Sequence, residues 1–357
     1  MPMTDYRTLG RSGLVVSPLA LGAMTFGATR WGADKATSGA LLRTYLAAGG
    51  NFIDTANVYA NGASEEILGA LITGEGLRND IVLATKAGFS ERAGTPLSGG
   101  NGAKAVHAAL DASLRRLCTD YVDLYWIHIW DMVTPPDDLL ETLSGLVRSG
   151  KIRHYGLSNM PAWYVARLAT LAEAHALPRP IALQYQYSLV ERGIEAEILP
   201  AARALGLELV AWSPLAGGFL SGKYETSPEP QPSAPPAAVA DGSTRLAGPN
   251  PFGDTKFTAR NWSILRALRD VAAEAGATPA QVALAWLLSR RVTVLLGASR
   301  PEQLTESVRA LDLQLDEAHT ARLEAASAPE LGYPAELFTP AIRSRLFGGF
   351  SVNSRST

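Results

Sequence analysis

Four polar residues of this chain stand at the ends of apolar runs. Asp54 and Tyr59 lie in Asn51-Phe52-Ile53-Asp54-Thr55-Ala56-Asn57-Val58-Tyr59, Lys86 closes Ile81-Val82-Leu83-Ala84-Thr85-Lys86, and His128 closes Leu124-Tyr125-Trp126-Ile127-His128. An apolar run of this length that stops at a polar residue reads as a buried strand delivering one functional group. A phenol has a free pKa of about 10, so Tyr59 alone is a weak acid at neutral pH. A neighbouring ammonium favours the phenolate left after proton transfer, and a carboxylate beside that ammonium keeps it charged. Tyr59, Lys86 and Asp54 together could therefore form a proton donor, with the imidazole of His128 orienting a carbonyl through N–H. That set suits general acid catalysis, protonating an oxygen on which negative charge develops.

Groups so distant along the chain meet only if the strands carrying them lie side by side with ends aligned. Strand-like segments 19–22, 52–54, 81–85, 122–128, 152–157, 181–184, 207–213 and 292–296 alternate with helical segments 36–48, 65–72, 103–117, 139–148, 162–174, 194–205, 263–275, 279–288 and 301–310. Ala105, Leu110, Leu114 and Leu117 form one helical-period stripe, and Gly150 stops the helix over 139–148. Such alternation predicts a parallel sheet, and eight units predict closure into a (β/α)8 TIM barrel, whose strand C-termini form the functional rim. A hairpin over 6–19, turning at Arg11-Ser12-Gly13, precedes the first barrel strand. Segment 225–260 carries Pro228, Pro230, Pro232, Pro235 and Pro236 and follows the seventh strand on the functional side. Its length predicts a lid. The tail over 331–357 carries Tyr333, Phe338, Phe347 and Phe350. That aromatic content predicts that part of it packs on the barrel, over the rim.

The 357 residues suit a single barrel domain over 1–357, and 47% hydrophobic content supplies its core. A net charge of −2 gives no electrostatic footprint for nucleic acid or an anionic membrane. No basic-then-apolar leader opens the sequence and no apolar stretch nears the roughly 20 residues of a membrane span, so a cytoplasmic location is expected. The single Cys118 excludes an intramolecular disulfide and is expected as a buried structural thiol. No set of metal ligands is read.

These segments closely resemble the aldo-keto reductase superfamily, in the order Asp, Tyr, Lys, His and with the same Asp-x-x-x-x-Tyr spacing. Gly156-Leu157-Ser158-Asn159, Gln184-Tyr185, Trp212-Ser213-Pro214-Leu215 and Gly297-Ala298-Ser299-Arg300-Pro301-Glu302-Gln303-Leu304 extend the match, which runs from about residue 6 to about 326. Among subgroups the chain looks closest to bacterial sugar and xenobiotic reductases and potassium-channel β-subunits. The resemblance implies a TIM barrel with the hairpin plugging its bottom, and NADP(H) bound on the rim without a G-x-G-x-x-G loop. It implies Trp212 stacked on the nicotinamide, with Ser158, Asn159 and Gln184 on its carboxamide. Ser213, Pro214, Leu215, Gly217 and Lys223 would follow the pyrophosphate. Gly297, Ser299, Arg300, Gln303 and Glu306 would hold the 2′-phosphate and adenine, with Arg245 adding a cation. Ala23, Met24, Trp31 and Asp54 complete the implied contacts. Ser307 stands where the family usually has Asn, so the adenine contact there loses its amide.

Trp31, Trp126 and Trp130 are expected to line the substrate pocket with Tyr59 and His128, with Met24 and Tyr125 nearby. The expected partner is a small-molecule carbonyl compound, with monomer and homo-oligomer both open. NADPH-dependent carbonyl reduction is the leading expectation. The alternative is an NADPH-sensing regulatory protein like the channel β-subunits, with slow turnover.

Overall fold

The computed structural model describes residues 3–224, 246 and 256–352. Arg245 and most of the expected lid over 225–260 lie outside the described residues. Two short antiparallel strands, β1 (Arg7–Thr8) and β2 (Val15–Val16), form the expected hairpin. Eight parallel strands then close a barrel: β3 (Leu19–Gly22), β4 (Phe52–Asp54), β5 (Val82–Ala87), β6 (Val122–Ile127), β7 (Ile152–Ser158), β8 (Ala182–Gln186), β9 (Glu208–Trp212) and β10 (Thr293–Leu296). Their order around the barrel is the order along the chain, and β10 pairs with both β9 and β3.

Each barrel strand is fully or largely buried because helices cover one face and its neighbours' side chains fill the other. The helices are α1 (Lys35–Ala47), α2 (Ala63–Gly74), α3 (Ala103–Arg116), α4 (Pro136–Arg148), α5 (Ala162–Ala174), α6 (Ile198–Leu205), α7 (Ala259–Glu274), α8 (Pro279–Ser289) and α9 (Pro301–Val308), followed by α10 (Glu317–Ala326) and α11 (Pro340–Leu346). Local sequence sets their ends. α4 opens on Pro136 with Asp137 and Asp138 in its first turn and Arg148 in its last, matching the helix dipole. Thr278 and Gln281 form a capping box on α8. Gly206 closes α6 at a left-handed φ of 67°. α7 starts four residues before the expected point because Thr258 caps it, accepting from the Asn261 N–H at 3.1 Å. α10 was not expected; Leu323 is its one buried residue, so its apolar signal is weak.

Strand alternation splits the core in two. Outward residues such as Leu83, Tyr125, Leu157 and Leu183 join the helix layer. Inward residues Ala20, Phe52, Val82, Ala84, Leu124 and Trp126 fill the barrel, and Leu9 and Val16 of the hairpin complete that cluster from below. Gly10 makes this closure possible: it holds φ +57°, and a Cβ there would stand 2.2 Å from the Ile181 carbonyl at the start of β8.

Four expectations about packing are corrected. Trp126 is fully buried inside the barrel, not on a pocket wall. It lies opposite Lys86 and Gly156 in register and sits over Gly156, where no side chain competes for the space. Tyr125 points outward and donates its hydroxyl to the Val106 carbonyl. Cys118 is exposed, not buried. It occupies the left-handed position just after α3, at φ 52°, which turns it from the face that buries Leu117. The aromatic side chains of the tail, Tyr333, Phe338, Phe347 and Phe350, are likewise exposed and join no core cluster.

Candidate active site

Inward parity carries Asp54, Lys86, Ser158 and Gln184 to the upper layer of the barrel interior, one step above Phe52, Ala84 and Ala182. Asp54 and Lys86 are both fully buried. The Lys86 ammonium donates to Asp54 Oδ1, to the Thr55 carbonyl at 2.8 Å and to Tyr59 Oη at 3.3 Å. All three of its protons are thereby committed. Burial alone would lower the Lys86 pKa; Asp54 and then Tyr59 outweigh it and hold the ammonium above the ordinary lysine value. Because Lys86 is the donor in its bond to Tyr59, the phenolic proton stays free to be given elsewhere.

A compact turn holds Tyr59. Its N–H bonds the Ala56 carbonyl, and Ala60, Asn61 and Gly62 all take positive φ before α2 begins. β5 is pinned from its other face by the fully buried Glu65, which accepts from Thr85 and pairs with Arg116 at 2.6 Å. Burial pushes the Glu65 carboxyl up, and the Thr85 and Arg116 contacts oppose the shift.

His128 lies one residue past β6, tied to β5 by its N–H on the Ala87 carbonyl at 2.8 Å. Its ring meets Tyr59 edge-on at 5.9 Å and Phe89 edge-on at 4.9 Å. Burial, reinforced by the charge of Lys86, drops its pKa well below the usual histidine value. The imidazole is therefore neutral at pH 7 and can present one N–H to an acceptor. Phe89 was missed by sequence reasoning, although an aromatic three residues past Lys86 sits on the same rim loop.

A second set of expected residues joins the first. Gln184 Nε2 donates to Asp54 Oδ2 at 2.9 Å, a contact that the sequence did not reveal. Gln184 is the register partner of Ser158, and the Asn159 N–H points to the Gln184 carbonyl at 3.4 Å. Asn159, at φ 51°, donates from Nδ2 to Ser158 Oγ and to the His128 carbonyl, both at 2.9 Å, and accepts from Trp212 Nε1 at 3.3 Å. The half-buried indole of Trp212 is thus oriented at the end of β9.

The remaining expected residues spread along the rim. Ala23 is fully buried and its carbonyl accepts from Ser64. Met24 and Trp31 are half-buried in the loop after β3. Pro214 is buried, while Ser213, Leu215 and Gly217 are half-buried and Lys223 is exposed. Gly217 and Gly218 hold φ of 69° and 94°, with the Leu246 side chain against Gly217 and the Lys223 ammonium beside Gly218. Thr25 ties the β3 end to the β10 end through the Ala298 carbonyl at 2.8 Å. Gly297 and Arg300 are exposed where α9 begins. The Ser299 N–H and hydroxyl both donate to Gln303 Oε1, at 3.0 and 3.2 Å. Glu306 is half-buried on α9, and Ser307 turns its hydroxyl back to the Gln303 carbonyl at 2.8 Å, so it does not reach outward. Trp130 is half-buried against Trp163 and Tyr164, with ring centroids 5.7 and 6.3 Å away.

A buried carboxylate–ammonium–phenol chain beside a neutral imidazole, under a rim of oriented amides, can protonate an alkoxide as it forms. The profile of the Aldo/keto reductase family matches residues 18–328 of this chain. The chain belongs to the aldo/keto reductase family. Among similar proteins are the uncharacterized oxidoreductase YrpG of Bacillus subtilis, 36% identical over 87% of this chain and 92% of its own length, and a norsolorinic acid reductase of Emericella nidulans, 34% identical over 90% and 81%. A probable voltage-gated potassium channel subunit beta of Oryza sativa is 35% identical over 87% of this chain and 92% of its own. This aldo/keto reductase is an oxidoreductase of a family that generally uses NAD(P)H. No single helix among the described residues of this family member is long and apolar enough to cross a membrane.

Proposed function

We propose that the chain reduces an aldehyde or ketone to an alcohol with NADPH, reversibly, with Tyr59 as proton donor. The observation that carries the reading is Lys86 donating to Tyr59 Oη while Asp54 holds the same ammonium. As the proton leaves Tyr59, the fully buried ammonium stabilises the phenolate. His128, neutral and braced by Phe89, directs an N–H at the carbonyl oxygen. Trp31 and Trp130 remain the candidate walls of the substrate pocket.

The residues present fit a dinucleotide. Asp54 accepts only, so Gln184 must turn its NH2 to it and keep Oε1 as an acceptor for an amide N–H. With no Cβ at Gly217 or Gly218, the turn would let a pyrophosphate approach the backbone beside Lys223. Arg300 at the head of α9 offers a bidentate guanidinium to a 2′-phosphate. Trp212 would face the nicotinamide, Ser158 and Asn159 would bracket its carboxamide, and Lys223 would close on the phosphates. The bound cofactor supplies the hydride.

A charge-assisted phosphate bond contributes roughly 1.5–3 kcal/mol, about tenfold or more in discrimination. Steady NADPH consumption over a panel of aldehydes and ketones, repeated with NADH, is expected to give at least a tenfold higher kcat/KM with NADPH. Equal values would contradict the 2′-phosphate contact. Similarity to the rice channel subunit supports a second reading, a cofactor-sensing binding protein. Tight NADPH binding without steady turnover over the same panel would favour it.

A further inference from the structure

Two apolar surfaces of this chain are left uncovered, and their chemistry is matched. The first is the tail. Tyr333, Phe338 and Phe350 are 82%, 78% and 77% exposed, and Leu346 and Phe347 stand exposed beside them. The tail is nonetheless built: Thr339 caps α11 by accepting the Ile342 N–H at 3.2 Å, and Pro340 opens it. The second surface is the rim beside the candidate active site. Met132 and Val133 in the loop after β6 are 75% and 80% exposed, and Phe89, Leu97 and Trp163 are exposed around them. Leu97 and Val133 face one depression. Trp163 packs on Trp130, and Phe89 on His128. Exposed apolar patches of this extent mark interaction surfaces.

We propose that the tail of one copy docks on the rim of a second copy, and reciprocally, in a two-fold dimer whose tails roof the partner's substrate entrance. Only the roofing rests on the functional reading above. Charge fits the pairing. The tail interleaves its aromatics with Arg343 and Arg345 and carries Glu336. The rim sets Asp137 and Asp138, in the first turn of α4, beside Met132 and Val133, with Lys104 in the shared depression. Area points to a second copy. An aromatic side chain can bury about 150–250 Å², so the exposed parts of five large tail residues offer on the order of 500 Å². One docked tail falls short of the roughly 800 Å² per partner of a stable interface. A two-fold arrangement buries one tail and one rim from each copy, on the order of 1,000 Å² per copy, which clears that requirement.

The test uses the full chain at micromolar concentration. Light scattering is expected to give twice the chain mass, and the Phe338→Ser/Phe350→Ser variant, altered only at exposed positions, is expected to give the single mass. In a Cys118→Ser background, Val133→Cys and Phe347→Cys proteins are mixed and oxidised. A disulfide-linked pair of one chain of each kind is expected. A monomeric wild-type chain, or a Val133→Cys/Phe347→Cys double variant that links only within itself, would overturn the proposal. None of these readings uses turnover, so they stand or fall apart from the assigned activity. If the dimer forms, the double serine variant is expected to raise KM for the carbonyl substrate with kcat held.

Discussion

Lys86 has no spare proton, and that makes Asp54 depend on it as much as Tyr59 does. Lys86→Met would leave a fully buried carboxylate with Gln184 as its one remaining described partner. Removing one member of a buried pair costs about 3–5 kcal/mol. Denaturant unfolding of Lys86→Met is expected to show a loss of that order, and the Asp54→Asn/Lys86→Met double variant to recover part of it. A double variant as unstable as the sum of the singles would show that the pair is not coupled. The pH dependence has two arms. The Lys86 pKa is raised in the fold, so its contribution is full below about 10.5 and is lost as pH rises through the folded value. The His128 pKa is lowered in the fold, so the unfolded chain binds the proton first and stability falls as pH drops below about 6.5. Thermal melts between pH 7 and 5 are expected to fall less steeply for His128→Gln than for the wild type. Parallel slopes would remove His128 from the acid arm.

The eight strands and their helices were legible because each apolar run has the length and ending of a buried parallel strand, and the helices carry their own caps. The strand endings also predicted that Asp54 and Lys86 meet at the functional rim; that both point inward and are fully buried is what the structure adds. Parity could not separate Trp126 from the rim, since Trp126 points inward like Lys86 beside it. What decides its place is Gly156 on the adjacent strand, where a Cβ would stand 2.3 Å from the Trp126 ring and 2.8 Å from the Ala182 carbonyl. Gly156→Ala is therefore expected to destabilise the fold by about 1–3 kcal/mol through overpacking, read from denaturant unfolding. Pairing it with Trp126→Leu should relieve the part of the cost due to the indole, leaving the part due to the Ala182 carbonyl. A stable Gly156→Ala protein would contradict this account of the Trp126 seat. Cys118 was misread for a related reason: the helical stripe predicts which residues face in, not where the chain turns left-handed after the last of them.

Across the whole molecule, the contacts that sequence could not reveal are those made by closure. Gln184 reaches Asp54 over 130 residues because the barrel brings β8 and β4 to one interior layer. The tail was read as packed because aromatics usually find a core; in this chain they face outward and join no core cluster. The four residues at the strand ends were legible as types and order, and the structure adds the hydrogen bonds that join Asp54, Lys86 and Tyr59 and the edge-on contact of His128 with Tyr59. The central claim is that Tyr59 gives the proton, and it is tested most directly by Tyr59→Phe. The variant loses one hydroxyl at a half-buried position, so the fold and NADPH affinity are expected to hold, by thermal melting and by cofactor titration. The rate of carbonyl reduction measured with saturating NADPH is expected to fall by about 10²–10⁴-fold, the usual contribution of a positioned acid. Reduction at the wild-type rate would contradict the account.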